Sequence, residues 1–406
     1  MMLGLSELAP RVLQSEIRAM SVACDAVGGV NLAQGVCDTE VPEVVAEAAQ
    51  RAIRDGHNIY TRLDGIAPLR RAIAEKVEGT LAASGSGGRQ SVDPEGEVLV
   101  TCGVSGGLHA AAMALFDPGD EVLVFEPFYG YHVGTLRSMR VAPVIVPMEA
   151  PAEGATGWGL DLERVRAAVT VRTKGMIVNT PSNPAGKVFT RAELEGLAEI
   201  AREHDLFVLT DEIYEYFVYG EAEHVSPFAL PGMRERTVLM SGFSKTFSVT
   251  GWRVGYLVAD ERWLPSIGYF HDLTYVCAPA PFQYGCAAGL EGLGRTFYAK
   301  LALEHERKRA MLVEALRAAG MRPDVPDGAY YILADASGIA GETAAEKARS
   351  LLAATGVAAV AGSAFFAQRA GERGLEQRNR GEDLLRFCFA KKDVDLDEAC
   401  RRLRAM

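Results

Sequence analysis

The chain has 406 residues, of which 49% are hydrophobic and 23% charged, a balance typical of a soluble globular protein. This length exceeds that of one ordinary domain and predicts a large domain accompanied by a smaller one. A formal net charge of −11, with no run rich in lysine or arginine, argues against nucleic acid or an anionic membrane as a partner.

The seven cysteines are scattered and form no CxxC pair, which argues against a zinc site or a disulfide framework. This usage fits the reducing cytoplasm. The first twenty residues show no basic segment followed by an apolar core, so we expect no signal peptide. No run of 18 apolar residues occurs, so we expect no membrane-spanning helix.

The N-terminal quarter is predicted to be mainly helical. A short helix is expected within residues 6–24, before an extended stretch at 30–35. Further helices are predicted over 43–54, which follows Pro42, and over 68–77, which begins with a proline. The polar loop between them carries Tyr60, and residues 82–96 are typical of a surface loop.

Strands and helices then alternate. Strands are predicted at 97–101, 122–125, 141–146, 175–179, 206–210, 238–240 and 256–258. Helices are predicted at 106–116, 160–169 and 191–204, the last opened by a capping box of Thr190 and Glu193. Such alternation implies right-handed crossovers and a largely parallel sheet, with its ligand at the carboxyl ends of the strands.

After residue 282 the pattern changes to long helices over 282–319, interrupted at 291–294. Strands at 330–333, 357–360 and 384–390 follow, with helices at 343–355 and 396–404. This second set predicts the smaller, α+β domain. We find no internal repeat.

Residues 238–258 (VLMSGFSKTFSVTGWRVGYLV) place small and hydroxyl residues between two strands, with two cations, Lys245 and Arg253, eight positions apart. Hydroxyls beside a guanidinium make a good phosphate site. A lysine among apolar and hydroxyl neighbours can have a lowered pKa and act as a nucleophile or Schiff-base former. A loop lysine and a surface arginine would explain the same pattern.

Four further segments place polar groups near strand ends. The turn Gly103-Val104-Ser105-Gly106-Gly107 leads from a strand into a helix, whose free N–H groups could bind an anion. Asn183 follows another strand, although asparagine before proline is common in plain turns. Asp211 ends a third strand and could hold a protonated ring nitrogen or cap a helix. Arg386 lies in an apolar strand and could instead be a surface residue of an edge strand.

In order and spacing, these segments resemble the fold type I pyridoxal-phosphate enzymes, specifically the class I/II aminotransferases. The resemblance is carried by the NPAG turn, DEIY, SGFSKTF…TGWRVGY, the Tyr60 loop and LLRFCFA, and it covers nearly the whole chain. Within that family, NTPSNPAGKVFTRAELE and RFCFAKKD are similar to the kynurenine, glutamine and aromatic aminotransferase branch.

The resemblance implies an α/β fold with a mostly parallel, seven-stranded-type sheet sandwiched by helices. It also implies the division of the chain. Residues 1–40 would form an N-terminal arm that contributes to the small domain and the active-site mouth, 41–295 the large cofactor-binding domain, and 296–406 the small C-terminal α+β domain.

The resemblance also implies catalytic roles around pyridoxal 5′-phosphate. Lys245 would form the aldimine, a Schiff base, and then carry the proton between the substrate Cα and the cofactor C4′. Asp211 would keep the pyridine nitrogen protonated, so that the ring accepts electrons. Asn183 and Tyr214 would hydrogen-bond the phenolic oxygen, and Tyr129 would stack on the ring.

Phosphate and substrate contacts are implied in the same way. The phosphate would be bound by Gly103, Val104, Ser105, Ser244 and Arg253. Ser241 is a second candidate serine after Ser244. Arg386 would bind the substrate α-carboxylate, with Gly35 and Asn183 beside it. Tyr60 would reach the phosphate of a partner subunit, so the resemblance implies a homodimer with shared active sites.

The implied activity is transfer of an α-amino group between an L-amino acid and a 2-oxo acid. A β-lyase acting on cysteine conjugates, or a specialised amino-acid-modifying enzyme, would use the same Lys245, Asp211 and Arg386. A third class, regulators that fuse this fold to a DNA-binding domain, is disfavoured by the acidic charge and by the short segment before the fold.

Two departures from the branch concern the substrate side chain. Aromatic residues usually follow the glycine equivalent to Gly35, but here the run is Val36-Cys37-Asp38-Thr39, and residue 105 is serine where some relatives have tyrosine. Both departures remove aromatic surface and weaken the case for an aromatic amino donor. Other polar candidates for the side-chain pocket could equally be loop residues: Glu40, Arg62, Asp64 and Tyr275.

Overall fold

The computed structural model describes residues 6, 8–9, 16–84, 91–151, 157–370 and 376–406. Parts of the helix predicted at 6–24 and of the loop predicted at 82–96 lie outside these residues. None of the described helices is long and apolar enough to cross a membrane.

A seven-stranded sheet organises the first two thirds of the chain, in the order β2-β8-β7-β6-β5-β3-β4. Its strands are β2 (Val98–Thr101), β3 (Glu121–Glu126), β4 (Ala142–Pro147), β5 (Thr173–Asn179), β6 (Phe207–Asp211), β7 (Thr237–Gly242) and β8 (Gly255–Val258). Neighbours are parallel except at β8, which runs antiparallel to β2 and β7. The predicted mostly parallel sheet is therefore confirmed, and its strands are buried between helices except for the edge strand β4, which is mostly half-buried.

The helices of this part follow the sequence pattern with two additions. They are α1 (Glu16–Ala26), α2 (Glu43–Arg54), α3 (Ala67–Ser84), α4 (Gly103–Leu115), α5 (Gly130–Ser138), α6 (Leu162–Ala168), α7 (Arg191–Glu203), α8 (Leu264–Tyr275) and α9 (Ala280–Gly292). Helices α5 and α8 are not predicted by the sequence. The capping box at Thr190 and Glu193 is present. Helix α4 begins at Gly103, three residues before its predicted start, so its N-terminus opens directly at the end of β2.

A second, antiparallel sheet follows in the order β12-β15-β10-β9. The C-terminal elements are α10 (Arg295–Ala318), β9 (Arg322–Pro323), β10 (Tyr331–Asp335), α11 (Ala344–Thr355), β11 (Val357–Ala358), β12 (Val360–Ala361), β13 (Arg369–Ala370), β14 (Glu376–Gln377), β15 (Leu384–Cys388) and α12 (Asp393–Arg404). Strand β1 (Val30–Asn31) pairs with β11. The N-terminal segment is thereby tied to the C-terminal part, and its residues 33–39 include hydrogen-bond partners of Arg386 on β15 and of Lys245 and Ser248 in the loop after β7.

Candidate active site

Lys245 lies in the loop that joins β7 to β8, and its side chain is enclosed. Its Nζ donates a hydrogen bond to the Gly35 carbonyl oxygen at 3.1 Å. It also lies 6.0 Å from the ring centroid of Tyr214 and 5.9 Å from that of Tyr330. Burial lowers the pKa of Lys245 to about 8, and the positive charges of Arg253 and Arg386 act in the same direction. The amine is therefore neutral in a substantial fraction of molecules near physiological pH.

Asp211 ends β6, and its carboxylate is paired with a histidine. Its Oδ2 lies 3.0 Å from His132 Nε2, and both side chains are buried. Its Oδ1 accepts a weaker hydrogen bond from the backbone N–H of Ile213, at 3.3 Å. The ring of Tyr129 meets the His132 ring edge-on, with centroids 5.4 Å apart. Tyr129 and Asp211 thus share one neighbour, His132, which the sequence analysis missed because helix α5 was not predicted.

Arg253 and the N-terminus of α4 form a cationic cradle. The guanidinium Nη2 lies 3.1 Å from Ser105 Oγ. A Cβ atom built on Gly103 would lie only 2.5 Å from the same Nη2, so only glycine leaves this space open. The N–H groups of Val104 and Ser105, in the first turn of α4, have no helical acceptor and can bind an anion.

Ser241 lies in β7 and Ser244 in the loop that follows it, and their hydroxyls have different surroundings. Ser244, next to Lys245, is buried. Ser241, the second serine named for the phosphate, instead donates its hydroxyl to Glu215 Oε1 at 2.7 Å. That carboxylate also pairs with Lys76 at 2.6 Å. This hydrogen bond does not favour the phosphate role expected for Ser241, because the hydroxyl proton is already donated to Glu215.

Arg386 is held rigidly by four neighbours. Its Nη1 donates to Asn183 Oδ1 at 3.0 Å and its Nη2 to the Ala33 carbonyl at 2.6 Å. The guanidinium lies between the rings of Tyr331 and Phe365, at 4.4 and 4.8 Å from their centroids. Its side chain is 1% exposed, and β15 lies between β12 and β10, so the edge-strand alternative is wrong.

One donor of this guanidinium is unused. Within the described part of the chain, the Nε–H of Arg386 is buried and has no hydrogen-bond partner. An unpaired buried donor is costly, so an acceptor from outside the protein is expected there. A carboxylate satisfies this requirement because it accepts two parallel N–H groups from one guanidinium.

Three tyrosines lie between Arg386 and Lys245. The hydroxyls of Tyr214 and Tyr331 are 2.9 Å apart, and Tyr330 donates a long hydrogen bond, 3.4 Å, to the Gly35 carbonyl. A Cβ atom at residue 35 would lie 2.1 Å from the Tyr331 hydroxyl oxygen. Glycine is thus required at position 35 by the tyrosine opposite it.

The segment that carries Phe365 is anchored by an ion pair to a buried carboxylate. Glu126, at the end of β3, is fully buried and accepts hydrogen bonds from Arg380 at 3.0 Å and from the Ala367 N–H at 2.7 Å. The backbone of Phe365 also accepts from the Phe128 N–H. The sequence gives no sign of this pair, because 254 positions separate its members.

Other candidate residues lie apart from this group. Tyr60 is 78% exposed. Arg62 and Asp64 pair with each other at 2.7 Å beside the buried Arg70. Asp38 lies 3.9 Å from Lys391. No cluster of metal-binding side chains occurs among the described residues.

Comparison with known proteins gives a consistent assignment. The family model "Aminotransferase class I and II" matches residues 27–403. A probable N-succinyldiaminopimelate aminotransferase from Mycobacterium tuberculosis is 35% identical over 95% of this chain and 94% of its own length. Human kynurenine–oxoglutarate transaminase 1 is 30% identical, over 92% of each chain. An Escherichia coli structure, reported with a methionine aminotransferase function, superposes with a TM-score of 0.89 at 30% identity, covering 100% of both chains.

Proposed function

The chain belongs to the class I and II aminotransferases and is a pyridoxal 5′-phosphate enzyme that transfers amino groups, and from this premise we propose the roles of its residues. The observation that carries the proposal is the Lys245 amine, whose pKa is lowered to about 8 in the loop that follows β7, 6.0 Å from the Tyr214 ring, while Asp211 ends β6 and Arg386 lies on β15. The substrates are an L-amino acid and a 2-oxo acid.

The cradle at Arg253 fits the phosphate of this cofactor. The absence of a Cβ at residue 103 lets the Arg253 guanidinium approach the first turn of α4, where it contacts the Ser105 hydroxyl beside the N–H groups of Val104 and Ser105. We propose that Gly103, Val104, Ser105, Ser244 and Arg253 bind the phosphate.

The ring of the cofactor would lie between Tyr129 and the Asp211 carboxylate. The hydrogen bond from His132 fixes the orientation of Asp211, which places its charge where a pyridine nitrogen can be held protonated. Because Asn183 Oδ1 accepts from Arg386, the Nδ2 group of Asn183 remains to donate to the phenolic oxygen, together with Tyr214.

When bound, the cofactor supplies an electron-accepting ring that stabilises negative charge at the substrate Cα. The protein contributes a positioned base: Lys245, with its pKa near 8, takes the proton from Cα and returns it at C4′. Arg386 binds the α-carboxylate through its unused Nε–H and a neighbouring Nη, which fixes the Cα–H bond relative to Lys245.

We propose that two copies of the chain form a homodimer. We infer that apolar side chains exposed in the loop before α3 and on α8 form one face, because Leu63 of this loop packs on Gly268 of α8: Ile59, Tyr60, Leu63, Tyr269 and Leu273. This face adjoins the cradle, because Tyr275 packs against Gly106 in the first turn of α4. A partner bound here brings its own Tyr60 to this phosphate site.

Hybrid dimers test the shared site. Chains with Lys245→Ala and chains with Tyr60→Ala are each expected to lose activity. In a mixed dimer, one site receives Lys245 from the Tyr60→Ala chain and Tyr60 from the Lys245→Ala chain, so activity should return on mixing. Activity that stays absent after subunit exchange contradicts the proposal.

We further propose a cytoplasmic enzyme with no nucleic-acid partner. The free state of all seven cysteines and the net charge of −11 support this placement. We propose the same division of the chain as above, with an arm at 1–40, a large domain at 41–295 and a small domain at 296–406. The pairing of β1 with β11 supports the link between the arm and the small domain.

The reaction itself is tested by a half-reaction. Mixing the holoenzyme with a panel of L-amino acids should convert the bound cofactor to pyridoxamine 5′-phosphate, which a 2-oxo acid should then reverse. Release of pyruvate and ammonia from a cysteine conjugate without this cycle would indicate a β-lyase. Lys245→Ala should abolish the pH-dependent change in visible absorbance, whereas an unchanged spectrum would mean that Lys245 is misassigned.

A further inference from the structure

Tyr331 contacts both Arg386, proposed to bind the substrate carboxylate, and Tyr214, proposed to bind the cofactor. Its ring covers one face of the Arg386 guanidinium, 4.4 Å from ring centroid to Cζ. Its hydroxyl lies 2.9 Å from that of Tyr214. Tyr214 lies in the turn that follows β6, whereas Tyr331 lies on β10 and pairs with Cys388, two residues beyond Arg386 on β15.

The direction of the hydroxyl–hydroxyl bond follows from proton counting. Burial raises the pKa of Tyr331 to about 12 and raises that of Tyr214 well above its usual value, so each phenol carries one proton at neutral pH. If Tyr214 donates its only proton to the cofactor's phenolic oxygen, as the proposed function requires, the proton between the two tyrosines must come from Tyr331.

The side chain of Tyr331 is fixed in position by its neighbours. Its hydroxyl oxygen fills the space that a Cβ at residue 35 would need, 2.1 Å away. The side chain is 2% exposed, and its ring is fixed between Arg386 and Tyr330. The hydroxyl is thus held at Tyr214, which reduces the entropy lost when the hydrogen bond forms.

We propose that Tyr331 is a positioning residue that donates to Tyr214, directs the Tyr214 proton to the cofactor's phenolic oxygen, and ties this hydrogen bond to the arginine that binds the substrate carboxylate. The inference rests on the proposed role of Tyr214. A phenol that accepts a hydrogen bond is a stronger donor, because bonds in a chain polarise one another.

The consequence is a measurable shift in a titration. A strong hydrogen bond from Tyr214 draws negative charge from the phenolic oxygen, which then holds the proton on the Lys245 nitrogen less tightly. Losing the Tyr331 hydroxyl should therefore raise the pH at which the visible absorbance of the holoenzyme changes. Because only the polarisation of the Tyr214 hydrogen bond is lost, the shift should be roughly 10–30% of the shift that Tyr214→Phe causes.

The test is a double-mutant cycle on the holoenzyme, titrated by absorbance: Tyr331→Phe, Tyr214→Phe and the pair. Tyr331→Phe should raise the transition pH by less than Tyr214→Phe does, and the pair should match Tyr214→Phe alone, because Tyr331 acts through Tyr214. Tyr219→Phe is the matched control, since it loses the hydrogen bond of another buried tyrosine, to the Ala329 carbonyl, and should cause no shift.

Steady-state kinetics distinguish the role of the Tyr331 hydroxyl from that of its ring. Tyr331→Phe keeps the ring on Arg386 and should lower kcat with little change in KM, whereas Tyr331→Leu should also raise KM. An unshifted transition in Tyr331→Phe, or additive shifts in the pair, would overturn the inference while leaving the role of Tyr214 intact. An unshifted transition in Tyr214→Phe would overturn both that role and the inference.

Discussion

Arg386→Lys is the most informative single substitution at the substrate end of the site. Lysine keeps the positive charge but replaces a planar fork of donors with a single ammonium group. One ammonium group cannot replace both the Nη1 contact with Asn183 and the Nη2 contact with Ala33. It also cannot offer two parallel N–H groups to a carboxylate. It also loses the stacking between Tyr331 and Phe365.

The expected cost follows from the contact that is lost. A hydrogen bond between charged groups contributes about 1.5–3 kcal/mol, and the unused Nε–H of Arg386 supplies one of the two such bonds to the substrate. At about 1.4 kcal/mol per factor of ten, kcat/KM should fall roughly 10- to 150-fold. Most of this loss should appear in KM, because the carboxylate is bound equally before and during proton transfer.

Single-turnover conversion of the cofactor by an L-amino acid, monitored by absorbance, measures this loss. The internal reference is the amine with the same side chain but no α-carboxylate, whose slow reaction should be unchanged by the substitution. Arg309→Lys is the matched control, because Arg309 also stacks on a tyrosine, Tyr219, but lies outside the active-site group. Equal losses for amino acid and amine would refute carboxylate recognition by Arg386.

Three further predictions concern residues around this contact. The rate at which apoenzyme reacts with pyridoxal 5′-phosphate should rise with pH and level off just above pH 8, because the pKa of Lys245 is lowered from 10.5 to about 8; a rate that keeps rising to pH 10 would contradict this. Gly35→Ala should destabilise the fold by about 1–3 kcal/mol in denaturant unfolding, and adding Tyr331→Phe should recover part of the loss, since the colliding atom is the hydroxyl oxygen. Glu126→Gln should lower the free energy of unfolding by about 1–3 kcal/mol in denaturant titration, because its partner Arg380 loses a buried counter-charge. Glu149→Gln, in an exposed pair at 3.9 Å, should leave that free energy nearly unchanged.

Most of the fold could be predicted from the sequence because its strands are short apolar runs separated by turn residues. Helices α5 and α8 could not, since GYHVGTLRS and LPSIGYFHDLTY contain glycines and aromatic residues of low helix propensity. Helix α8 is stabilised by packing against α4 and against the loop at Leu63, which no local pattern reveals.

In the candidate site too, some residues could be predicted from local sequence and others could not. Lys245, Asp211 and Arg386 stand in recognisable local motifs, so sequence order alone pointed to them. His132 and Tyr331 do not, because each is defined by a hydrogen bond to a residue 79 or 117 positions away. Local sequence carries no record of such pairings, and only the folded chain brings their members together.

The short connection between the antiparallel strands β7 and β8 carries both Lys245 and Arg253, whereas Arg386 belongs to a separate sheet. In the proposed roles, a single stretch of chain thus supplies both the attachment point for the cofactor and a ligand for its phosphate. The group proposed to bind the substrate carboxylate comes from another part of the polypeptide. Chimaeras that exchange the C-terminal portion between relatives should therefore alter the affinity for the α-carboxylate while cofactor loading is inherited unchanged.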